Sequence, residues 1–330
     1  MNIYALSSGK GPSGIAIVRL SGKDTLHITR LISKQKDLKI KQINFCKFYD
    51  PANQNLIDEG LLLWFPGPDS YTGEDLVEFH IHGSNAVINK ILGVLSEQKN
   101  CRLAEPGEFT KIAFKNDKID LIEAESIGDL IHAETELQRE QAVKLVQGNA
   151  SNYYNDLREK LIKSLSYIEA KIDFAEDDLP EKVLKEVHKS IKVIHQDIQK
   201  LLEDSKVGEK IRDGFRVSIV GEINAGKSSL LNLLSKREVA IVSEEGGTTR
   251  DVIEVFLNID GYPVILADTA GIRDAKNEVE KKGILLALEK SEEADLNIIM
   301  IDNSSKAINN KIKDLINKDS IVLLNKSDVE

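Results

Sequence analysis

Apolar and polar positions alternate in three different ways along the chain. Near the start, short apolar runs separated by turn residues predict strands: Ile15–Leu20 and Leu61–Phe65 read as buried strands. Asp75–His82 alternates, with Leu76, Glu78, His80 and His82 on one face and Val77, Phe79 and Ile81 on the other. The turn-rich Pro66–Gly73 precedes that strand. After Gly83 the period becomes helical, carried by Val87, Ile88, Ile91, Leu92 and Leu95. From about residue 119 to 210 the pattern is helical. Leu157, Leu161, Leu165, Ile168 and Ile172 step by threes and fours, as do Val187, Ile191, Ile194, Ile198 and Leu201, and Pro180 breaks the run between them. From Gly214 onward, β-branched runs alternate with loops and helical stretches: Val217–Val220, Val252–Ile259, Val264–Ala267, Leu296–Ile301 and Ile321–Leu324. The fold class expected is α/β plus α. A mixed α/β domain spans 1–118, a helical domain 119–213, and a doubly wound sheet domain 214–330.

The third stretch carries the chemistry. Between Val220 and the helical pattern beginning at Ser229 lies Gly221-Glu222-Ile223-Asn224-Ala225-Gly226-Lys227-Ser228, a match to G-x-x-x-x-G-K-[ST]. Glycine lets the backbone wrap tightly and turn its N–H groups toward an anion, and the helix N-terminus adds partial positive charge. Lys227 can reach the outer phosphates, and Ser228 offers a hydroxyl to Mg2+. Two more polar tetrads, Asp268-Thr269-Ala270-Gly271 and Asn325-Lys326-Ser327-Asp328, each close an apolar strand. Ligands of open α/β sheets bind at the carboxyl ends of strands, so the three together predict a nucleotide site. Asp328 selects the base. Guanine presents N1–H and a 2-amino group side by side, which one carboxylate accepts together, whereas adenine N1 would face it with a lone pair. Asn325 is expected to bond the base and the Lys326 stem to lie along the ring. The loop Ser243-Glu244-Glu245-Gly246-Gly247-Thr248-Thr249 reads as a switch, with Thr249 completing the magnesium shell.

Bulk composition narrows the setting. A chain of 330 residues has room for two or three cores; its formal net charge is −10, residues 1–120 hold 15 Lys+Arg against 14 Asp+Glu and the later regions are acidic, so no region reads as a polybasic nucleic-acid arm. RNA binding would therefore require a local patch or a partner. No apolar run reaches membrane-spanning length and the start lacks a signal-peptide core, so no membrane association is expected. Cys46 and Cys101 have no metal spacing and fit a reducing, cytoplasmic location. His80 and His82 lack a clear third ligand; their strand face reads as one turned toward a cleft or an interface, with Glu78 able to accept from a ring N–H.

Hydrolysis needs a substitute for the water-orienting glutamine of many small GTPases, because Ile272 follows DTAG here. Asn224, Ser243 and Thr248 offer oxygen ligands for a monovalent cation, and Arg250 and Arg273 are rival sources of charge. Glu280 is a candidate for holding water; the competing reading is a solvated glutamate at a helix start.

The whole chain resembles the MnmE (TrmE) family of tRNA-modification GTPases, through GIAIVRLSG, LWFPGPDSYTGEDLVEFHIHG, PGEFTKIAFKNDKIDLIEAE, KIDFAEDD, GEINAGKSSLLN, GGTTRDV and DTAGIRD. The resemblance implies an N-terminal tetrahydrofolate-binding and dimerisation domain, a helical domain, and a Ras-like P-loop GTPase domain. It implies a homodimer working with the FAD-containing MnmG on the wobble uridine of certain tRNAs, a tetrahydrofolate derivative (5-formyl or methylene) as one-carbon donor, and K+-dependent hydrolysis of GTP. Matched motif by motif, Arg19, Glu78 and Lys118 would contact folate. Asn224, Ser243, Glu245 and Thr248 would ligate K+, while Ser228 and Thr249 would ligate Mg2+. Ala225, Gly226, Lys227, Ser228, Ser229 and the run Glu244, Glu245, Gly246, Gly247, Thr248, Thr249 would hold the nucleotide with the two later tetrads, and Glu280 would position water. Ser243 stands where the family usually has threonine. The family pattern continues past the last tetrad, so the expectation is a helical domain lacking helices and a GTPase domain lacking its last elements. The alternative function is a GTP switch that binds ribosomal RNA or an assembly intermediate, for which a folate site has no use.

Overall fold

The alternation along Leu76–Gly83 is realised as a strand with Val77, Phe79 and Ile81 in the core and Glu78, His80 and His82 less buried. The computed structural model describes residues 1–173, 181–222, 224–237, 254–268, 290–303 and 310–328. It divides into two units, Met1–Glu125 and Ser126–Glu330.

The first unit is built on a six-stranded sheet in the order β3-β4-β5-β2-β1-β6. Its strands are β1 (Asn2–Leu6), β2 (Ser13–Ser21), β3 (Asn44–Tyr49), β4 (Leu56–Phe65), β5 (Leu76–Gly83) and β6 (Cys101–Leu103). All pairs are antiparallel except β1 with β6. The amphipathic helices α1 (Thr25–Ser33) and α2 (Asn85–Ser96) place Ile28, Ile32, Ile88, Ile91 and Leu95 in one cluster with Val18, Leu20, Phe48, Leu62 and Phe79. The strand β2 is longer than its apolar run: Ser13–Gly14 extend it, and Ile15 is exposed where the run predicts burial. One face of β2 packs on the helices, so the intervening residues Ile17 and Arg19 face away from them. A third helix, α3 (Glu108–Lys115), belongs to this unit, and α4 spans Leu121–His132.

The second unit combines helices with a second sheet. The helix α5 (Glu136–Val146) starts on a capping box, the Thr135 hydroxyl accepting from Gln138 N–H. The long helices α6 (Asn149–Asp173) and α7 (Glu181–Asp213) bury Leu157, Val187 and Ile194. Leu165 and Ile172, by contrast, remain 54% and 69% exposed. An apolar stripe on a long helix needs more neighbouring surface than a single facing helix offers.

The second sheet contains β7 (Phe215–Gly221), β8 (Glu254–Ile259), β9 (Tyr262–Asp268), β10 (Leu296–Asp302) and β11 (Ser320–Asn325), ordered β11-β10-β7-β9-β8. The pairs are parallel except the β8–β9 hairpin, which turns through Asp260 and Gly261, both at positive φ. The expected strand from Val252 is described only from Glu254. Ile219 pairs with Asp268, Gly221 with Met300, and Asp302 with Asn325. These registers bring the carboxyl ends of four strands to one rim. The apolar run Ile321–Leu324 lies on the edge strand and is exposed, because nothing among the described residues pairs with its outer side. No described helix is long and apolar enough to cross a membrane.

Candidate functional sites

At the rim of the second sheet, β7 delivers the chain into the phosphate loop and α8 (Lys227–Arg237) leads away from it. Asn224 and Gly226 take positive φ, 63° and 102°, which wraps the loop. Ala225 between them is fully buried. Lys227, only 7% exposed, donates from Nζ to the carbonyls of Gly221 (3.1 Å) and Glu222 (2.8 Å), so its charge is held inside the loop. Ser228 and Ser229 are exposed on the first turn of α8.

The tetrad Asn325-Lys326-Ser327-Asp328 is joined to that loop. Asn325 Nδ2 donates to the Ala225 carbonyl at 2.8 Å. A side chain at position 226 would collide with that amide: an added Cβ would lie 2.1 Å from Asn325 Nδ2. Glycine is required there by contact as well as by φ. The sequence gives Asn325 to the base alone; the structure makes it a tie between tetrad and loop, with its second N–H and its carbonyl remaining. Lys326, at φ 59°, pairs through Nζ with Asp302 Oδ2 at 2.6 Å. Asp302 is absent from the sequence-based site, although it closes the apolar run Ile298–Ile301 as Asp268 closes Val264–Ala267. Ser327 and Asp328 are exposed. The backbone of Asp268 ends β9 on the same rim. The side chain of Asp268, and Ser243, Glu244, Glu245, Gly246, Gly247, Thr248, Thr249, Thr269, Ala270, Gly271 and Glu280, with Arg250 and Arg273, lie outside the described residues.

The first unit holds a separate cluster on the sheet face turned away from α1 and α2. Arg19 on β2 and Glu78 on β5 are register partners. Arg19 donates from Nε (3.1 Å) and Nη2 (2.7 Å) to Glu78 Oε1, while His80 Nε2 lies 3.4 Å from Oε2. The rings of Tyr71 and Phe109 approach the guanidinium, their centroids 5.6 and 5.5 Å from Arg19 Cζ. Tyr71 and Thr110 share a hydroxyl hydrogen bond of 2.9 Å, and Asn116 Nδ2 donates to the Thr72 carbonyl at 2.7 Å. These bonds dock the Pro66–Gly73 turn against the end of α3. Lys118 is exposed, and its Cε would lie 3.1 Å from a Cβ at Gly73, so its stem runs past the turn. Arg19 and Glu78 are thus in direct contact, and Lys118 lies against the same turn at Gly73. Tyr71, Phe109 and His80 join them, with only the in-register parity of His80 legible beforehand.

His82 does not join this cluster. Its Nδ1 lies 2.8 Å from Asp58 Oδ1, and its backbone N–H donates to Asp58 Oδ2. Burial pushes the Asp58 carboxyl up, but these donors outweigh it and hold it below the ordinary value. The two histidines of one strand face therefore serve different carboxylates.

Comparison with known proteins places these sites in context. The family model described as "GTP-binding protein TrmE N-terminus" matches residues 2–118, and the one described as "MnmE helical domain" matches residues 121–328. The chain is 57% identical over 329 residues to a tRNA modification GTPase MnmE of Pelagibacter ubique, covering 100% of this chain and 74% of that protein. It is 45% identical to the MnmE of Parvibaculum lavamentivorans, covering 99% and 74%. It is also 47% identical to a mitochondrial 5-taurinomethyluridine-tRNA synthase subunit of Danio rerio, covering 91% and 60%. With two family models end to end along it and relatives matched over nearly its whole length, the chain belongs to the TrmE/MnmE family of tRNA modification GTPases.

Proposed function

We propose that this chain hydrolyses GTP in the service of modification at C5 of the wobble uridine of tRNA, as a homodimer acting with an FAD-containing partner of the MnmG type in the cytoplasm. Two features in one chain support the reading: a phosphate loop tied to a guanine-selecting tetrad through Asn325 and Ala225, and an Arg19–Glu78 cluster on a separate sheet. Lys227 already lies within the loop, where rotation about its own bonds exchanges carbonyl partners for phosphate oxygens. Asp328, exposed at the rim, accepts from N1–H and the 2-amino group of guanine.

The described donors suit the ions the family reading calls for. Ser228 offers an exposed hydroxyl beside the loop, to act with Thr249 on Mg2+; Asn224 offers an exposed amide, to act with Ser243, Glu245 and Thr248 on K+. Such ions, when bound, supply positive charge beside the phosphates. Glu280 orients the attacking water. At the first site Arg19, Glu78 and Lys118 hold a reduced folate. Glu78 retains acceptor capacity on Oε2 for the amino-pyrimidinone edge, and the Tyr71 and Phe109 rings offer flat apolar surface. A tetrahydrofolate derivative bound there supplies the one-carbon unit.

Turnover measured with GTP and ATP, in potassium and in sodium, tests the nucleotide half: GTP alone should be hydrolysed, faster in potassium. Preference for ATP would remove the assignment. Calorimetry of the full chain with 5-formyltetrahydrofolate tests the other half; absence of binding would favour a ribosome-associated GTP switch.

A further inference from the structure

A protein acting on tRNA with a formal charge of −10 faces an electrostatic obstacle, because its bulk charge repels phosphate. The cations are unevenly placed, however. Arg30, Lys34, Lys36, Lys39 and Lys41 fall within a single turn of α1 and the loop that follows it, with Asp37 as the one acid among them, and all are exposed. The backbone N–H of Lys34 donates to the Arg30 carbonyl at 2.9 Å, so the two residues close the end of α1 together.

This loop has a fixed shape. Asn44 accepts from Lys39 N–H (2.8 Å) and donates to the carbonyls of Lys39 (3.1 Å) and Gln42 (2.9 Å), closing the loop onto β3. Lys41 N–H donates to the Trp64 carbonyl at 2.9 Å. Lys34 and Lys41 hold φ of 57° and 53°, a left-handed conformation for which glycine or asparagine is the ordinary choice. Lys34 is the left-handed C-cap of α1, which fixes where its charge is carried.

Little of that charge is neutralised internally. Among the described residues Arg30, Lys36 and Lys39 make no ion pair; Lys41 reaches Asp69 only at 3.8 Å, both side chains being largely exposed. Lys34 Nζ lies over the Tyr49 ring, 3.8 Å from its centroid. Loop against loop across a two-fold axis would repel, which disfavours that pairing of two copies.

We infer that the loop from Arg30 to Lys41 is a docking surface for the phosphate backbone of RNA. The inference rests on the tRNA reading above and locates where that contact is made. Its test is fluorescence anisotropy of the full chain with a fluorescein-labelled tRNA anticodon stem-loop across a salt series. The double variant Lys36→Gln, Lys39→Gln should bind about tenfold more weakly at physiological salt, and the slope of log affinity against log salt should fall by about 2. Lys36→Arg, Lys39→Arg should keep both, and GTP turnover and melting temperature should be unchanged in either. Wild-type affinity and slope in the glutamine variant would overturn the location while leaving the tRNA reading intact. A wild-type chain that binds no RNA at low salt would overturn both. Loss of binding to phosphatidylglycerol vesicles, or a changed sedimentation coefficient, with RNA binding retained would assign the surface to a membrane or a second copy and overturn the inference.

Discussion

Replacing Gly226 with alanine tests whether the phosphate loop and the proposed base-selecting tetrad act as one unit. The added Cβ would sit 2.1 Å from Asn325 Nδ2, so the amide must retreat by more than an ångström to reach ordinary contact. That retreat breaks the 2.8 Å bond to the Ala225 carbonyl. Ala225 is fully buried, so losing this partner costs about 1–3 kcal/mol. At φ 102° the alanine itself is strained, by about 1–2 kcal/mol. The total of about 3 kcal/mol divides between fold and site. Falling wholly on the site, it would weaken nucleotide affinity about a hundredfold. Falling wholly on the fold, it would lower the melting temperature by about 6–12 °C. Titration of a fluorescent GDP analogue and differential scanning calorimetry measure the two shares. Gly9→Ala is the control, because no atom lies within 4 Å of a Cβ there. If the clash carries the effect, adding Asn325→Ala to Gly226→Ala should cost far less than Asn325→Ala alone. A Gly226→Ala protein with unchanged affinity and melting temperature would refute the coupling.

Three further expectations concern other parts of the chain. Arg102 donates to both carboxylate oxygens of Glu108, and with the Glu105 N–H it holds that carboxyl at about 2, against an ordinary 4.5, burial opposing. A folded value below the unfolded one gives stability that is complete above pH 4.5 and lost as pH falls toward 2. Glu108→Gln should therefore cost about 2 kcal/mol in urea unfolding at pH 7, and the gap to wild type should narrow below pH 4; a constant gap would contradict the pairing. Gly93 is exposed within α2 with no atom within 4 Å of a Cβ, so Gly93→Ala should stabilise the first unit by about 0.5–1 kcal/mol, read as a raised melting temperature. Asp302→Asn should weaken GDP binding about fivefold, roughly 1 kcal/mol once solvent screening of the half-exposed Lys326 is allowed for. In a Lys326→Ala background the same change should cost less, and full additivity would rule out the pair.

Local chemistry made much of this legible in the residues themselves. Period-two alternation in Asp75–His82 and three-to-four spacing in α6 and α7 follow from backbone geometry, which acts within a few residues. The octet ending in Lys227-Ser228 is continuous in sequence, so it could be matched to a phosphate-loop pattern and weighed by the strand and helix on either side of it. The tetrad at Asn325 reads as guanine-selecting only in the company of the octet and of Asp268-Thr269-Ala270-Gly271, since the carboxylate of Asp328 alone fits an ordinary polar turn as well.

Partners distant along the chain were not legible in this way. Asn325 bonds Ala225 because parallel pairing brings the ends of β7, β10 and β11 to one rim. Asp302 is selected as the partner of Lys326 by register, not by its neighbours in sequence. Likewise Glu78 and His80 share one face of β5 and their contact was legible in the alternation, yet only the pairing of β4 with β5 brings Asp58 to His82. What the residues determined by themselves was the kind of element and the kind of chemistry, since dihedral preference and hydrogen-bond complementarity are short-range. What only the tertiary structure decided was which groups meet, because strand order and register bring together residues separated by up to a hundred positions.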